Sequence, residues 1–358
     1  MNAPPMNAPS VSVIMPAYNG AALIGETIDC VLAQSFADFE LVIVDDCSTD
    51  TTWDLLQTFS DPRIRCFRAE RNGGPVQARN QAFGHARGRY IVGLDQDDLC
   101  TPDRFARQVA FLDAHPDVAL VASACRLLRD GQEQAWPMLE GLTPQSIDWL
   151  MMLCNPLAWS SVMFRADAAR CLVPFERQEV LYAEDFDLYH RIRAFGAIAR
   201  IDTPLLIYRC HAQGASKRFE DAMCASAAKV LAEQYRGIFG DRAEDYAVLM
   251  GRHLMHCEVV PDLATLSKVV GIMALLHSHF LDRHSPDAAT RTIIEREYRR
   301  LWQMLVRPAL RWGVVQLRDI PPLRPAGVPL SLRQPDWLLS SAIGNMRRWF
   351  GMEPANLN

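Results

Sequence analysis

The chain has 358 residues, 49% hydrophobic and 22% charged, with a formal net charge of −5. That length supports two or three ordinary domains with a full core, and the balance of charge excludes a disordered or fibrous chain. The small total hides a split: residues 291–350 hold eleven Arg, no Lys, four acids and four of the eight Trp, while the rest of the chain is acidic. No run approaches the roughly 20 uninterrupted apolar residues of a membrane span. The opening MNAPPMNAPS lacks the charged and apolar regions of a secretory leader, so residues 1–9 read as a flexible tail. Ten Cys without CxxC pairs read as reduced thiols of a cytosolic protein.

Val11–Met15 is a short apolar run ended by Pro16, which predicts a buried parallel strand. Leu23, Ile24, Thr27, Ile28, Val31 and Leu32 then recur at helical spacing. Glu40–Val44 predicts a second strand closed by Asp45-Asp46, and Ser48-Thr49-Asp50 offers an N-cap for a helix through Trp53, Leu55, Leu56 and Phe59. Ile64–Phe67 predicts a third strand, followed by the turn Asn72-Gly73-Gly74 and a helix over Val76–Ala86. A fourth strand over Tyr90–Leu94 runs into Asp95-Gln96-Asp97-Asp98, and Pro102–Ala114 and Val118–Ala122 predict one more helix and strand. This alternation predicts an α/β fold with a doubly wound, mostly parallel sheet covered by helices, in which ligands bind at the carboxyl ends of the strands. Both acidic clusters fall at predicted strand ends. From about residue 220 the periodicity is helical, over Ala222–Phe239, Ala243–Cys257, Leu263–Phe280 and Asp287–Val306, and Pro is dense from 308 to 335. The change puts a domain boundary near 218–222.

Asp45-Asp46 alone reads as a solvated or capping pair. Asp95, Asp97 and Asp98 crowd three carboxylates into four residues. Such a cluster is easier to hold when a cation neutralises it, and oxygen ligands suit Mg²⁺ or Mn²⁺, which bridge to substrate phosphates. DQDDLCTPDRFA lacks the ligand and Gly spacing of a calcium loop. There is no GxxxxGK[ST], no GxGxxG after the first strand and no Lys before Lys217, so a P-loop and a phosphoacceptor receiver domain drop out. Glu184-Asp185 opens the helix-like EDFDLYHRI, where the helix dipole also favours acids. His211 taken alone reads as structural, and Trp159 as either a platform for a sugar or a core ring.

VSVIMPAYNG, QSFADFELVIVDDCSTD, ARNQAFGHARGRYIVGLDQDD and PDR, then HPDV, VMFR, AEDFDL and YRCH, follow in order over about residues 10–217. Together they closely resemble the family 2 glycosyltransferases. The resemblance implies a GT-A fold, a Rossmann-like sheet with flanking helices, over 10–219, followed by a mainly helical region over 220–358. It implies inverting transfer from a nucleotide-diphosphate sugar, foremost a UDP-sugar, to a glycan or lipid-linked acceptor in polysaccharide or cell-envelope synthesis. Pro16, Ala17, Tyr18 and Asn19 would cradle the nucleotide. Asp45 would accept from the pyrimidine N–H with Asp46 supporting the turn, and Arg79 would lie near the diphosphate. Asp97 and Asp98 match the metal motif, one toward the ribose and one toward Mg²⁺ or Mn²⁺, with Asp95 as its first acid and His211 as a late ligand. Asp185 matches the catalytic base, with Glu184 a neighbour whose charge would raise its pKa. Glu184 and Trp159 are candidates for acceptor binding, and Ser216 and Lys217 would lie on an adjacent loop.

Two other readings stay open beside this one. A nucleotidyltransferase would show a Gly-rich, Lys-containing loop after the first strand, which is missing; a non-catalytic sugar-nucleotide or glycan-binding module would lack the full acidic set. The resemblance does not extend to the basic, Trp-rich end, which reads as a packed helical cap, an oligomerisation surface or a membrane-surface patch. In the last, Trp337, Leu338, Leu339, Ile343, Met346, Trp349 and Phe350 with Arg347-Arg348 form an interfacial stretch, against which Gly344 and the nearby prolines count. Nothing beyond the basic patch points to nucleic acid. The expected location is the cytoplasm, including peripheral contact with the cytoplasmic membrane face.

Overall fold

The computed structural model describes residues 8–135, 140–211, 218–325 and 335–349. Ser216, Lys217 and Phe350 lie outside the described residues. The chain divides into two compact units, Met1–Pro144 with Leu157–Phe219, and Gln145–Pro156 with Glu220–Asn358.

The first unit opens with β1 (Val11–Ala17), α1 (Ile24–Leu32), β2 (Phe39–Asp45), α2 (Thr52–Leu56), β3 (Ile64–Arg68), α3 (Pro75–His85) and β4 (Tyr90–Gly93). It continues through β5 (Leu99–Cys100), α4 (Arg104–Ala114), β6 (Val118–Arg129), β7 (Gln132–Ala135), β8 (Met163–Arg165), α6 (Ala166–Arg170), α7 (Glu184–Ile192) and β9 (Ala197–Cys210), with α5 (Pro144–Met151) between β7 and β8. The strands form one sheet in the order β3-β2-β1-β4-β8-β6-β9-β5, with β7 paired to β6. From β3 to β4 all pairs are parallel, β8 runs antiparallel to both its neighbours, and β6 and β9 are parallel again. Every residue of β2 is buried, as expected of a parallel strand covered on both faces. Ile24, Thr27, Ile28 and Val31 turn one face of α1 inward at i, i+3, i+4 and i+7. They join Val13, Met15, Leu41, Ile43, Val92, Phe105 and Leu112 in the core. Each such aliphatic side chain contributes about 1.5–3 kcal/mol by leaving water.

Register decides where the chemistry lies. Ala17 stands beside Asp45 and Ile14 beside Gly93, so the segments that follow β1, β2 and β4 emerge at one edge of the sheet. Within β2, Glu40 anchors the neighbouring elements. Its carboxylate, on a residue only 2% exposed, accepts from Ser12 Oγ at 2.6 Å, Arg65 at 2.7 Å and Arg87 at 2.7 Å.

The structure departs in places from the expected bounds. Strand β6 runs on to Arg129 because β9 pairs with it, across three register shifts, and β7 pairs with its last four residues. Helix α2 starts only at Thr52, where Asp50 rather than the residue next to the helix accepts the Thr52 N–H at 2.9 Å. Residues 145–156, expected inside the first domain, belong to the second unit. There Ile147, Trp149, Leu150 and Met151 of α5 are buried, and Trp149 packs edge-on against His277 and Tyr298.

The second unit adds α8 (Glu220–Phe239), α9 (Ala243–Met250), α10 (Leu263–His284), α11 (Ala288–Arg311) and α12 (Pro335–Trp349). Asp262 and Asp287 cap α10 and α11 by accepting the Thr265 and Thr290 N–H groups, each at 2.7 Å. The helix expected over Ala243–Cys257 changes at Gly251 to a π turn reaching Met255. Helix α11 continues past Pro308, where the sequence pattern ended it at Val306. Helix α10 is long and apolar enough, by length and composition alone, to cross a bilayer; Leu266, Val269, Ile272, Met273, Leu276 and Phe280 along it are buried. All ten Cys are free thiols.

Candidate active site

The turn after β1 is stitched to the segments after β2 and β4. Asn19, at φ +48°, donates its N–H to Ser48 Oγ and accepts through Oδ1 from the Thr49 N–H at 2.8 Å. The Gln96 side-chain amide pairs with the backbone of Tyr18 in both directions, at 3.0 Å each, and leaves the Tyr18 ring 45% exposed. Asp45 is fully buried at the end of β2. Its Oδ2 accepts from the Ser48 N–H at 3.2 Å and faces Arg68 Nε at 3.3 Å, while its Oδ1 is buried with no hydrogen-bond partner. Asp46 accepts from the Gly73 and Gly74 N–H groups at 2.8 Å each, which holds the loop before α3. Burial pushes the Asp46 carboxyl above its usual range.

The acids after β4 go to separate partners. Asp97 Oδ2 lies 2.7 Å from His211 Nε2 at the end of β9. Asp98, 2% exposed, accepts the Arg209 N–H through Oδ1 at 2.9 Å, and its Oδ2 makes no hydrogen bond among the described residues. The Arg209 side chain donates to the Asp97 carbonyl at 2.8 Å and reaches Glu26 at 2.7 Å. Burial first, then the neighbouring acids, raise the carboxyl pKa of Asp97 and, well above the usual range, that of Asp98. Among the described residues no three His, Cys, Asp or Glu side chains gather as a metal-holding group. Of the expected trio, Asp97 and His211 pair directly, and Asp98 Oδ1 accepts from the backbone of β9. The donor chemistry still fits a hard divalent cation. A carboxylate and an imidazole meet, each about a quarter exposed, beside an acid whose second oxygen is unused.

Arg79 of α3 ties this loop to the start of α7. It is 7% exposed, and its two terminal nitrogens lie 2.9 Å from Asp95 and 2.6 Å from Glu184, with Glu176 at 3.7 Å. Its guanidinium lies over the Trp159 ring, 4.8 Å from the centroid. Burial disfavours the charge, but Asp95, Glu176 and Glu184 together hold the Arg79 pKa well above normal. The terminal nitrogens of Arg79, expected near the diphosphate, thus bond acids of this chain, while its Nε has no hydrogen-bond partner among the described residues. Two acceptor-binding expectations change as well. Trp159 is 6% exposed and packs among Phe164, Phe175 and Gly93, so its face is a core surface rather than a platform for sugar. Glu184 is 5% exposed and bonded to Arg79, which also offsets the charge expected to act on Asp185. Asp185 itself, in the first turn of α7, is only partly buried.

Two residues at this site escaped the sequence reading. Glu176 is completely buried, with no hydrogen bond to either carboxyl oxygen, and burial drives its pKa well above the usual range. It sits in a stretch without periodicity or motif, so no signal marked it. Arg209 stood inside the YRCH segment, where only His211 was singled out.

Comparison with known proteins places this arrangement. Residues 12–167 match the sequence profile of Glycosyl transferase family 2. The UDP-Glc:alpha-D-GlcNAc-diphosphoundecaprenol beta-1,3-glucosyltransferase WfaP of Escherichia coli is 31% identical over 214 residues, 58% of this chain and 79% of WfaP. Three other curated bacterial proteins are 44–45% identical over 106–119 residues, and the matched stretch spans only 13% to 42% of their length. Among solved structures, S. aureus TarS 1-349 in complex with UDP-GlcNAc aligns with a TM-score of 0.52 at 20% identity, covering 81% of this chain and 92% of that one. The mannosyltransferase PcManGT from Pyrobaculum calidifontis, in complex with GDP-Man and Mn²⁺, aligns with a TM-score of 0.53 at 19% identity, covering 84% and 86%. Those two likenesses establish the GT-A-like fold alone. With WfaP matched over most of its length and the family profile lying across the sheet and the acidic loop, the chain belongs to glycosyltransferase family 2.

Proposed function

We propose that the chain transfers a sugar from a UDP-sugar, with inversion, to a glycan or lipid-linked acceptor on the cytoplasmic side. One observation carries the reading: Arg79 bonds both Asp95 and Glu184, fixing Asp185 to the acidic loop although the two motifs are some ninety residues apart. Asp45 supports the choice of base, because its buried, unbonded Oδ1 suits the N–H of a uracil ring. The names of WfaP and of the TarS complex, which carry UDP-Glc and UDP-GlcNAc, favour the same donor class. Asp97 and His211, with Asp98 behind them, would hold Mg²⁺ or Mn²⁺. A bound cation there supplies positive charge against the negative charge of a departing diphosphate. Asp185 takes the proton of the acceptor hydroxyl as that oxygen bonds to the anomeric carbon. The bond from that carbon to the diphosphate oxygen breaks, and its electron pair leaves with the diphosphate. A single displacement of this kind inverts the centre.

The test is UDP release from a panel of UDP-sugars and GDP-Man, with a diphosphate-lipid-linked sugar as acceptor. Asp185→Asn is expected to lower kcat by about 10²- to 10⁴-fold while leaving UDP affinity unchanged. Asp45→Asn should weaken UDP binding about tenfold by removing a charged acceptor. Near-parental turnover of Asp185→Asn removes that residue as the base, and nucleotide binding without turnover of any donor favours a binding module.

A further inference from the structure

Helix α12 is amphipathic in an unusual sense, since both of its faces carry apolar side chains and one is largely exposed. Its inner face is fixed on the end of α11. Trp337 is buried beside Trp302, and Gly344 approaches so closely that a Cβ there would stand 2.0 Å from the Leu310 carbonyl. Gly344 therefore permits the contact rather than breaking the helix. The outer face presents Leu338 (50% exposed), Leu339 (62%), Met346 (53%) and Trp349 (83%). Leu338, Ala342, Met346 and Trp349 follow at i, i+4, i+8 and i+11, one continuous stripe.

A basic groove borders the stripe. Arg307, Arg311, Trp312, Leu339, Ser340 and Arg347 line a depression of about 540 Å³ between α11 and α12. The Arg347 guanidinium lies on the Trp312 ring at 3.8 Å, and Arg307 over Trp337 at 5.3 Å. Among the described residues Asp336, 3.7 Å from Arg307, is the one acid in the groove, and Arg311 has no ion pair. Three guanidinium groups against one carboxylate leave a surplus of positive charge beside apolar side chains.

We propose that this face docks on an anionic bilayer, with the α12 stripe in the acyl boundary and a lipid phosphate among Arg307, Arg311 and Arg347. Arginine matches phosphate oxygens through paired N–H donors, and Trp and Leu side chains suit the interfacial layer. A second copy of the chain is the poorer occupant, because a two-fold contact on this face sets its arginines against their own kind. The surface is read without nucleotide or acceptor, so its test is independent of the transfer reaction.

The full-length chain is sedimented with vesicles of phosphatidylcholine alone and with about one third phosphatidylglycerol. Binding is expected only to the anionic vesicles and is expected to weaken at high salt. Arg311→Gln should lower that affinity about fivefold, and the change Leu338→Ser with Leu339→Ser and Met346→Ser should lower it more than tenfold. All four side chains are exposed or line the groove, so thermal unfolding serves as the check that the variants fold. Equal binding to both vesicle types, no binding to either, or unchanged binding by Arg311→Gln overturns the proposal. So does a dimer in light scattering that the triple change dissociates, which would assign the stripe to a second copy.

Discussion

Replacing Arg79 by Met isolates what the buried cation does. The side chain keeps its stem but loses a charge that is 7% exposed and bonded to carboxylates at 2.6 and 2.9 Å. Asp95, with 30% of its side chain exposed, can hydrate, and Glu176 is driven by burial toward its neutral form. The penalty therefore falls on Glu184, whose side chain is 6% exposed. Breaking a buried pair in this way costs about 3–5 kcal/mol, and losing the contact with Trp159 adds about 1 kcal/mol. Adding Glu184→Gln to Arg79→Met removes the stranded charge, so the double variant should recover about 2 kcal/mol of the loss. Urea unfolding followed by near-ultraviolet circular dichroism, which reads the ring environment of Trp159, measures both. Arg79→Lys should rescue only part, since one ammonium cannot bond both acids as a fork does. If Arg79→Met unfolds within about 0.5 kcal/mol of the parent, or the double variant is no more stable than the single, charge pairing does not hold the two motifs together.

Two further outcomes concern pH. Because the folded-state pKa of Glu176 is raised, the unfolded chain ionises it first and the parent loses stability as pH rises above the ordinary 4.5. Glu176→Gln should therefore gain on the parent by up to about 1.4 kcal/mol per pH unit above that value, and a gap that stays constant from pH 5 to 8 contradicts the reasoning. Glu40 has the opposite sign. Burial alone would raise its pKa, but hydrogen bonds from Arg87, Ser12 and Arg65 outweigh it and hold the carboxyl below 4.5. Its contribution is complete above 4.5 and lost as pH falls through the folded value, so the deficit of Glu40→Gln, about 2 kcal/mol near neutrality, should close in acid. Unfolding curves across pH 3 to 7 show whether it closes.

The parallel half of the sheet was legible because its strands are buried on both faces and read as continuous apolar runs, as in Val11–Met15 and Glu40–Val44. Motif order revealed the family, and strand-end placement revealed where Asp45 and Asp95–Asp98 would lie. Burial of individual polar and aromatic side chains was not legible. Trp159 reads alike as platform or core until Gly93 and Phe175 are seen against it, and Arg79 reads as a free cation until three acids from distant segments close on it. Glu176 left no trace, since a single Glu in an irregular stretch has no period to betray its depth. The pattern stops at Ala122 for a related reason: pairing with β9 and β7 carries β6 on through partly exposed residues.

The path of the backbone has a practical corollary for anyone dissecting the molecule. Removing everything after Phe219 does not release an intact first unit. It leaves residues 145–156 in place while deleting the helices that bury them. Trp149 would lose Tyr298 and His277, and the Met152 carbonyl would lose the Tyr235 hydroxyl that bonds it at 2.7 Å. A shortened protein of that kind would carry a sticky apolar helix into solution, and poor yield from it would say nothing about whether the sheet can fold alone.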